Sequence, residues 1–268
     1  MKPFLFVAGA TALALLVAAP LMLARHDAAE APFAPVALVE VPGGSIAYRP
    51  FGSFSRAARS VAPDPVARDI AGFEIMKYQV TRDQYAACVA AEACAKVSPT
   101  GGGVPQTGVN WQDATDFARW YSKVSGESWR LPTAMEWQHA AAERYGDATV
   151  AGGDLDPGER MLANYRAGVL LRGTASPALR PTGSFGVNSR GLADVSGNVW
   201  EWTDTCMERG TLNDDGSIAA SEPYCWVRIA GGIHRAAIVD IVRDASVGGC
   251  AVGLPPDHLG FRLVRASE

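Results

Sequence analysis

The chain has 268 residues, with 24 basic against 28 acidic side chains and a net charge of −4. That length supports one sizeable core, and without a basic tract or an aromatic-interleaved Lys/Arg patch no nucleic-acid partner is expected. A hydrophobic content of 48% excludes a disordered chain, while 28 glycines and 17 prolines predict a loop-rich fold with little regular secondary structure.

Lys2 precedes an apolar stretch from Phe4 to Leu23, which Arg25 and Asp27 close. Ala29-Glu30-Ala31 follows as a small-residue cleavage tripeptide, so residues 1–31 read as a secretory signal peptide. The apolar run is long for a signal core, which keeps an uncleaved N-terminal membrane anchor as the alternative. No cysteine lies there to take a lipid. Either way residues 32–266 are expected outside the cytoplasm, periplasmic or secreted. Membrane contact is expected only through the N-terminal segment, if it is uncleaved.

After a short Pro/Ala linker, the alternation in Val36-Ala-Leu-Val-Glu-Val41 predicts a strand stopped by Pro42-Gly43-Gly44. Residues 50–70 read as irregular, and Phe73 to Val80 alternates as a second strand. Three helix starts follow. Thr81 with Gln84 and Thr133 with Glu136 have the cap acceptor and the third-position partner of a capping box; Asn110 with Asp113 is a looser version. Gly126 and Gly146 mark helix ends. From Gly152 onward little helix is expected. Short strands are predicted at Val227 to Ala230, Ile238 to Val242 and Gly260 to Val264. Helices in the first half and short strands in the second predict one α+β domain. Residues 146–180 and 205–226 read as long loops, which need disulfides or bound cations to hold them.

Export governs how the five cysteines read. Cys88 and Cys94 are close in sequence, and Cys206 and Cys225 flank a polar stretch, so these pairs make disulfides and leave Cys250 over. Other connectivities stay open from sequence.

The densest chemical signal is Gly191-Leu-Ala-Asp-Val-Ser-Gly-Asn-Val-Trp-Glu-Trp202, with two tryptophans beside the Asp194/Glu201 acid pair. Freed carbonyls and carboxylates in a turn suit a hard cation such as Ca2+; the plain alternative is a rigid turn with core tryptophans.

Taken in order, Met76-Lys-Tyr-Gln-Val-Thr81, Val109-Asn-Trp-Gln-Asp-Ala114, Arg130-Leu-Pro-Thr-Ala-Met-Glu-Trp137, the run from Gly186 to Thr203 and Leu259-Gly-Phe-Arg262 resemble the formylglycine-generating enzyme (sulfatase-modifying factor) family. The resemblance covers Val36 to Ala266 and implies a variant C-type-lectin-like fold. It also implies one Ca2+ held by the Asp194 and Glu201 side chains and the Gly197 and Val199 carbonyls. A second calcium site of the family would begin at Asn164-Tyr165, but residues 166–181 contain no acid, so its loss is expected. Formylglycine generators carry an Arg-Gly-Gly-Ser motif and a copper-binding cysteine pair. Aligned on Gly231-Gly232, the serine falls at Ile233 and the cysteines at Ala236 and Ile241. Neither side chain can ligate copper or form a thiolate, so that oxidase activity is expected to be absent.

Within the family the chain looks similar to the exported NirV-type proteins encoded beside copper nitrite reductases. The likeness lies in Tyr85-Ala-Ala-Cys-Val, Trp200-Glu-Trp-Thr-Asp-Thr-Cys206, His234-Arg-Ala and Gly248-Gly-Cys-Ala-Val-Gly253. This implies an accessory, maturation or binding role with an exported partner, such as a nitrite reductase or its maturation machinery. The alternative is a metal-dependent oxidase with an altered site. His234, Asp240 and Cys250, with Asp244 and His258 nearby, are its candidate residues, and copper or iron its metal. Arg262 reads as a buried structural cation bonding carbonyls or an acid.

Overall fold

The computed structural model describes residues 35–145, 178–195, 197–232, 235–243, 246 and 251–266. Strand β1 (Leu38–Val41) and a hairpin-like pair, β2 (Gly44–Tyr48) with β5 (Val66–Ile70), bracket β3 (Gly52–Arg56) and β4 (Arg59–Ser60). Residues 50–70, read as irregular from sequence, are therefore largely strand. Their side chains are mostly exposed, which removes the alternation that sequence reading relies on.

After β6 (Phe73–Met76) come three capped helices: α1 (Arg82–Ala90), α2 (Trp111–Ser125) and α3 (Ala134–Ala141). All three begin with reciprocal capping boxes, Asn110/Asp113 included. Gly126 closes α2 at φ +73°, a left-handed conformation that glycine adopts without strain. Gly146 lies outside the described residues. Along α2, Ala114, Phe117, Ala118 and Tyr121 recur at helical spacing and face the core. There the Phe117 ring meets Tyr85, Trp120, Tyr121 and Phe261 at centroid distances of 5.4–6.1 Å.

A four-stranded sheet runs β1-β6-β14-β7, with β7 at Trp129–Arg130 and β14 at Val264–Arg265. The other large sheet is built on β8 (Trp200–Leu212) and β9 (Ile218–Gly231), an antiparallel ribbon extended by β10 (Ala236–Val239), β3 and β4. Short β11 (Ile241–Val242) pairs with β12 (Ala251–Val252), and β13 (Leu259–Gly260) runs parallel to β8. The expected 205–226 loop is thus a two-stranded arm. Cys206–Cys225 staples it near its base with a Cα separation of 4.5 Å, and Cys88–Cys94 closes the turn after α1. Cys250 lies outside the described residues. The architecture is α+β, mostly sheet and loops, as expected.

Candidate functional site

Pairing of β13 with β8 sets Gly260 opposite Glu201, so the next residue but one, Arg262, comes beside the acid. Arg262 is 0% and Glu201 1% exposed. The guanidinium donates through Nε and Nη2 to the two Glu201 oxygens at 2.6 Å each. It also donates to the carbonyls of Lys77 at 2.8 Å and Ala193 at 2.9 Å. Gln79 Nε2 and Trp137 Nε1 supply the remaining donors to Glu201, at 2.8 and 2.9 Å. Arg262 is therefore the structural cation anticipated from sequence.

This network bears on the calcium expectation. A carboxylate offers about four lone-pair sites, and all four at Glu201 face N–H donors. A Ca2+ ligated by Glu201 would have to displace a buried guanidinium, and two positive charges would then share one desolvated carboxylate. Asp194, at φ +57°, is also committed: its oxygens accept the amides of Gly183 and Phe185. Burial pushes its carboxyl above the ordinary aspartate range, opposed by those two amides and by Arg262. The Gly197 carbonyl accepts the Val199 amide at 2.8 Å. No group of three or more His, Cys, Asp or Glu side chains suited to a metal occurs among the described residues. Asp194, Glu201 and the Gly197 carbonyl thus already accept hydrogen bonds within the protein, and the turn is organised by an internal salt bridge.

The second candidate segment follows Gly231-Gly232. A Cβ at Gly231 would lie 2.4 Å from the Trp137 ring, and one at Gly232 3.0 Å from Trp200. The glycine pair thus lets two motif tryptophans pack against the backbone. Ala236 sits opposite Ala230 in the β10–β9 ladder, and the Ile241 carbonyl accepts Asn110 Nδ2 at 2.9 Å. Both side chains are hydrocarbon where the family resemblance requires thiols.

Of the altered-oxidase candidates, His234, Cys250 and Asp244 lie outside the described residues, as does the Asn164-Tyr165 pair. Asp240 is described. Its carboxyl is pushed above the ordinary range chiefly by burial, with Arg228 and the Trp111 amide opposing, and Oδ1 has no hydrogen-bond partner. Arg243 binds Asp113 and the Gly108 carbonyl. Arg235 donates to the Arg49 carbonyl. His258, 59% exposed, lies 3.6 Å from the exposed Asp257 carboxylate and edge-on to Trp200.

Beside Asp240 the fold assembles a site that sequence reading missed. A cavity of about 340 Å3 lies along α2 and β7, walled by Trp111, Ala118, Trp129 and Leu131, with Asp204 and Arg130 among its polar lining. Arg228 stacks over Trp111, 3.8 Å from the ring centroid, and reaches Asp204 at 3.4 Å. These residues come from α2, β7, β8 and β9, so no local spacing links them.

The fold and these motifs define a compact scaffold of capped helices on twisted sheets, with its motif tryptophans and its Glu201–Arg262 pair at the centre. The sequence matches the Sulfatase-modifying factor enzyme 1-like domain over residues 25–267, and the chain belongs to that family. It is 34% identical over 182 residues to the formylglycine-generating enzyme of Mycobacterium tuberculosis, covering 60% of this chain and 57% of that protein. It is 28% identical over 166 residues to the inactive C-alpha-formylglycine-generating enzyme 2 of Bos taurus, covering 59% of this chain and 49% of the relative. The chain thus spans about half the length of each of these two relatives. The structure of PvdO from Pseudomonas aeruginosa shares the fold, with a TM-score of 0.52 at 21% identity over 86% of this chain and 94% of that one.

Proposed function

We propose that this chain is an exported, divergent member of the family that does not generate formylglycine. In this reading it serves as an accessory, maturation or binding protein for an exported partner in nitrite reduction. The observation that carries the reading is the hydrocarbon pair Ala236 and Ile241 at the positions where the resemblance requires copper-binding cysteines. Without a thiolate no soft-metal site forms there, and oxygen activation of that type has no ligand set. The N-terminal apolar segment and the two disulfides support export. Among the described residues no helix is long and apolar enough to cross a membrane. The NirV-like motifs support the link to nitrite reduction, and loops on a rigid scaffold suit partner binding.

Incubating the disulfide-intact protein with a Cys-x-Pro-x-Arg peptide is expected to leave the peptide mass unchanged; an aldehyde product overturns the reading. Pull-down from periplasmic extract is expected to recover a nitrite reductase or a protein of its maturation.

The alternative, an altered metal-dependent oxidase, draws on one observation: the half-buried Asp240 with an unpartnered oxygen in the same segment. Copper or iron bound at one equivalent and lost in His234→Ala would favour it. Absence of bound metal after loading would remove it.

A further inference from the structure

The two disulfides differ in how far they lie from solvent. Cys88 is 0% and Cys94 9% exposed, and both belong to the main hydrophobic core. On the β8–β9 arm, Cys225 is exposed and Cys206 half-buried. Exchange begins with attack of a thiolate on one sulfur, and its rate depends on access to that sulfur. Of the two pairs, only the arm pair places a cysteine on the surface.

The backbone ladder is broken on both sides of Cys206. The antiparallel register runs Trp202↔Ala230, then Cys206↔Arg228, then Met207↔Tyr224. Thr203 to Thr205 of β8 thus stand against Ile229 alone. Cys225, Trp226 and Val227 of β9 have no counterpart between the neighbours Cys206 and Met207. Such bulges interrupt ladder hydrogen bonds, and here the disulfide ties the two strands where both bulges meet. The β9 bulge carries Trp226, 48% exposed. On its other edge it stays paired with β10, Val227 opposite Val239, and the Trp226 carbonyl accepts the Asp240 amide at 2.9 Å. Opening the disulfide would therefore free the bulge from β8 alone, one hydrogen bond away from Asp240 and Ile241.

We propose that Cys206–Cys225 is a thiol–disulfide exchange site, a reducible clasp that holds the β9 bulge to β8. The co-reactant is a dithiol. Its thiolate attacks Cys225 Sγ, on the exposed side. A sulfur–sulfur bond forms to Cys225 as the Sγ–Sγ bond breaks, and Cys206 leaves as a thiolate that takes up a proton. The donor's second thiol, as thiolate, then attacks the donor sulfur of the mixed disulfide, and Cys225 leaves and is protonated in turn. The donor ends as a disulfide and the protein as two thiols, two electrons having passed between them. Cys88–Cys94, closed within the core, takes no part.

The test uses the full, native protein, with any free thiol first blocked by N-ethylmaleimide and the excess removed. Dithiothreitol is added, samples are quenched in iodoacetamide over time, and the cysteines are mapped by peptide mass. Alkylated Cys206 and Cys225 are expected to appear at least roughly ten-fold faster than Cys88 and Cys94. With glutathione instead, the trapped adduct is expected on Cys225 and the alkyl group on Cys206. Reduction is expected to change the tryptophan emission of the wild type and to leave that of Trp226→Phe unchanged. Equal rates for the two pairs, reduction of the arm pair only in denaturant, or glutathione on Cys206 would each overturn the inference. So would an emission change that is absent from the wild type or kept in Trp226→Phe.

Discussion

Replacing Arg262 with methionine tests the internal salt bridge directly. The substitution removes the guanidinium but keeps a side chain of similar reach, so the main change is electrostatic. Glu201 would stay buried at 1% exposure with only Gln79 and Trp137 as donors, the Ala193 carbonyl would lose its guanidinium donor, and the Lys77 carbonyl would keep only the Ala193 amide. Breaking a buried pair from one side costs about 3–5 kcal/mol, because the remaining charge is uncompensated. For a domain of this size each kcal/mol lowers the melting temperature by about 2–4 °C, so a loss of roughly 6–20 °C is expected. The assay is urea and thermal unfolding with disulfides intact. Glu201→Leu combined with Arg262→Met should lose less than Arg262→Met alone, since neither charge is then stranded. Millimolar Ca2+ or excess chelator should leave the wild-type melt unchanged. A loss below about 1 kcal/mol in Arg262→Met, or a clear rise in melting temperature on adding Ca2+, would refute the reasoning.

Two further outcomes are expected. Asp240 binds its proton more tightly in the folded state than in the unfolded chain, so its contribution to stability is present at low pH and declines as pH rises through the aspartate range and above. Asp240→Asn should therefore raise the urea midpoint at neutral pH and change it little below the ordinary aspartate value of about 3.9; an equal gain at both pH values would contradict this. Removing Cys206–Cys225, whose cysteines are 19 residues apart, should cost about 3 kcal/mol in a Cys206→Ala/Cys225→Ala variant, and removing Cys88–Cys94, with a separation of 6, about 2 kcal/mol, both read from urea midpoints.

What could be read from the chain was local. The capping boxes at Thr81, Asn110 and Thr133 were visible because the cap residue and its partner are three positions apart, within one turn. Both disulfides were readable for a similar reason, since each closes a short span. The β3–β5 region escaped because its exposed side chains carry no alternation, and the β8–β9 arm because its polar outer half reads as loop.

The family and the expected loss of the copper pair followed from sequence alone, since motif residues and their substitutions at Ala236 and Ile241 are one-dimensional facts. Which partner each charged group takes was decided only in three dimensions. Asp194 and Glu201, seven positions apart, look like a shared cation site from sequence. Parallel pairing of β13 with β8 delivers Arg262 from 61 residues away, and that guanidinium donates to both Glu201 oxygens. The Arg228–Asp204 pair beside the cavity likewise exists only after strands distant in sequence are brought together, because charge pairing depends on distance in space.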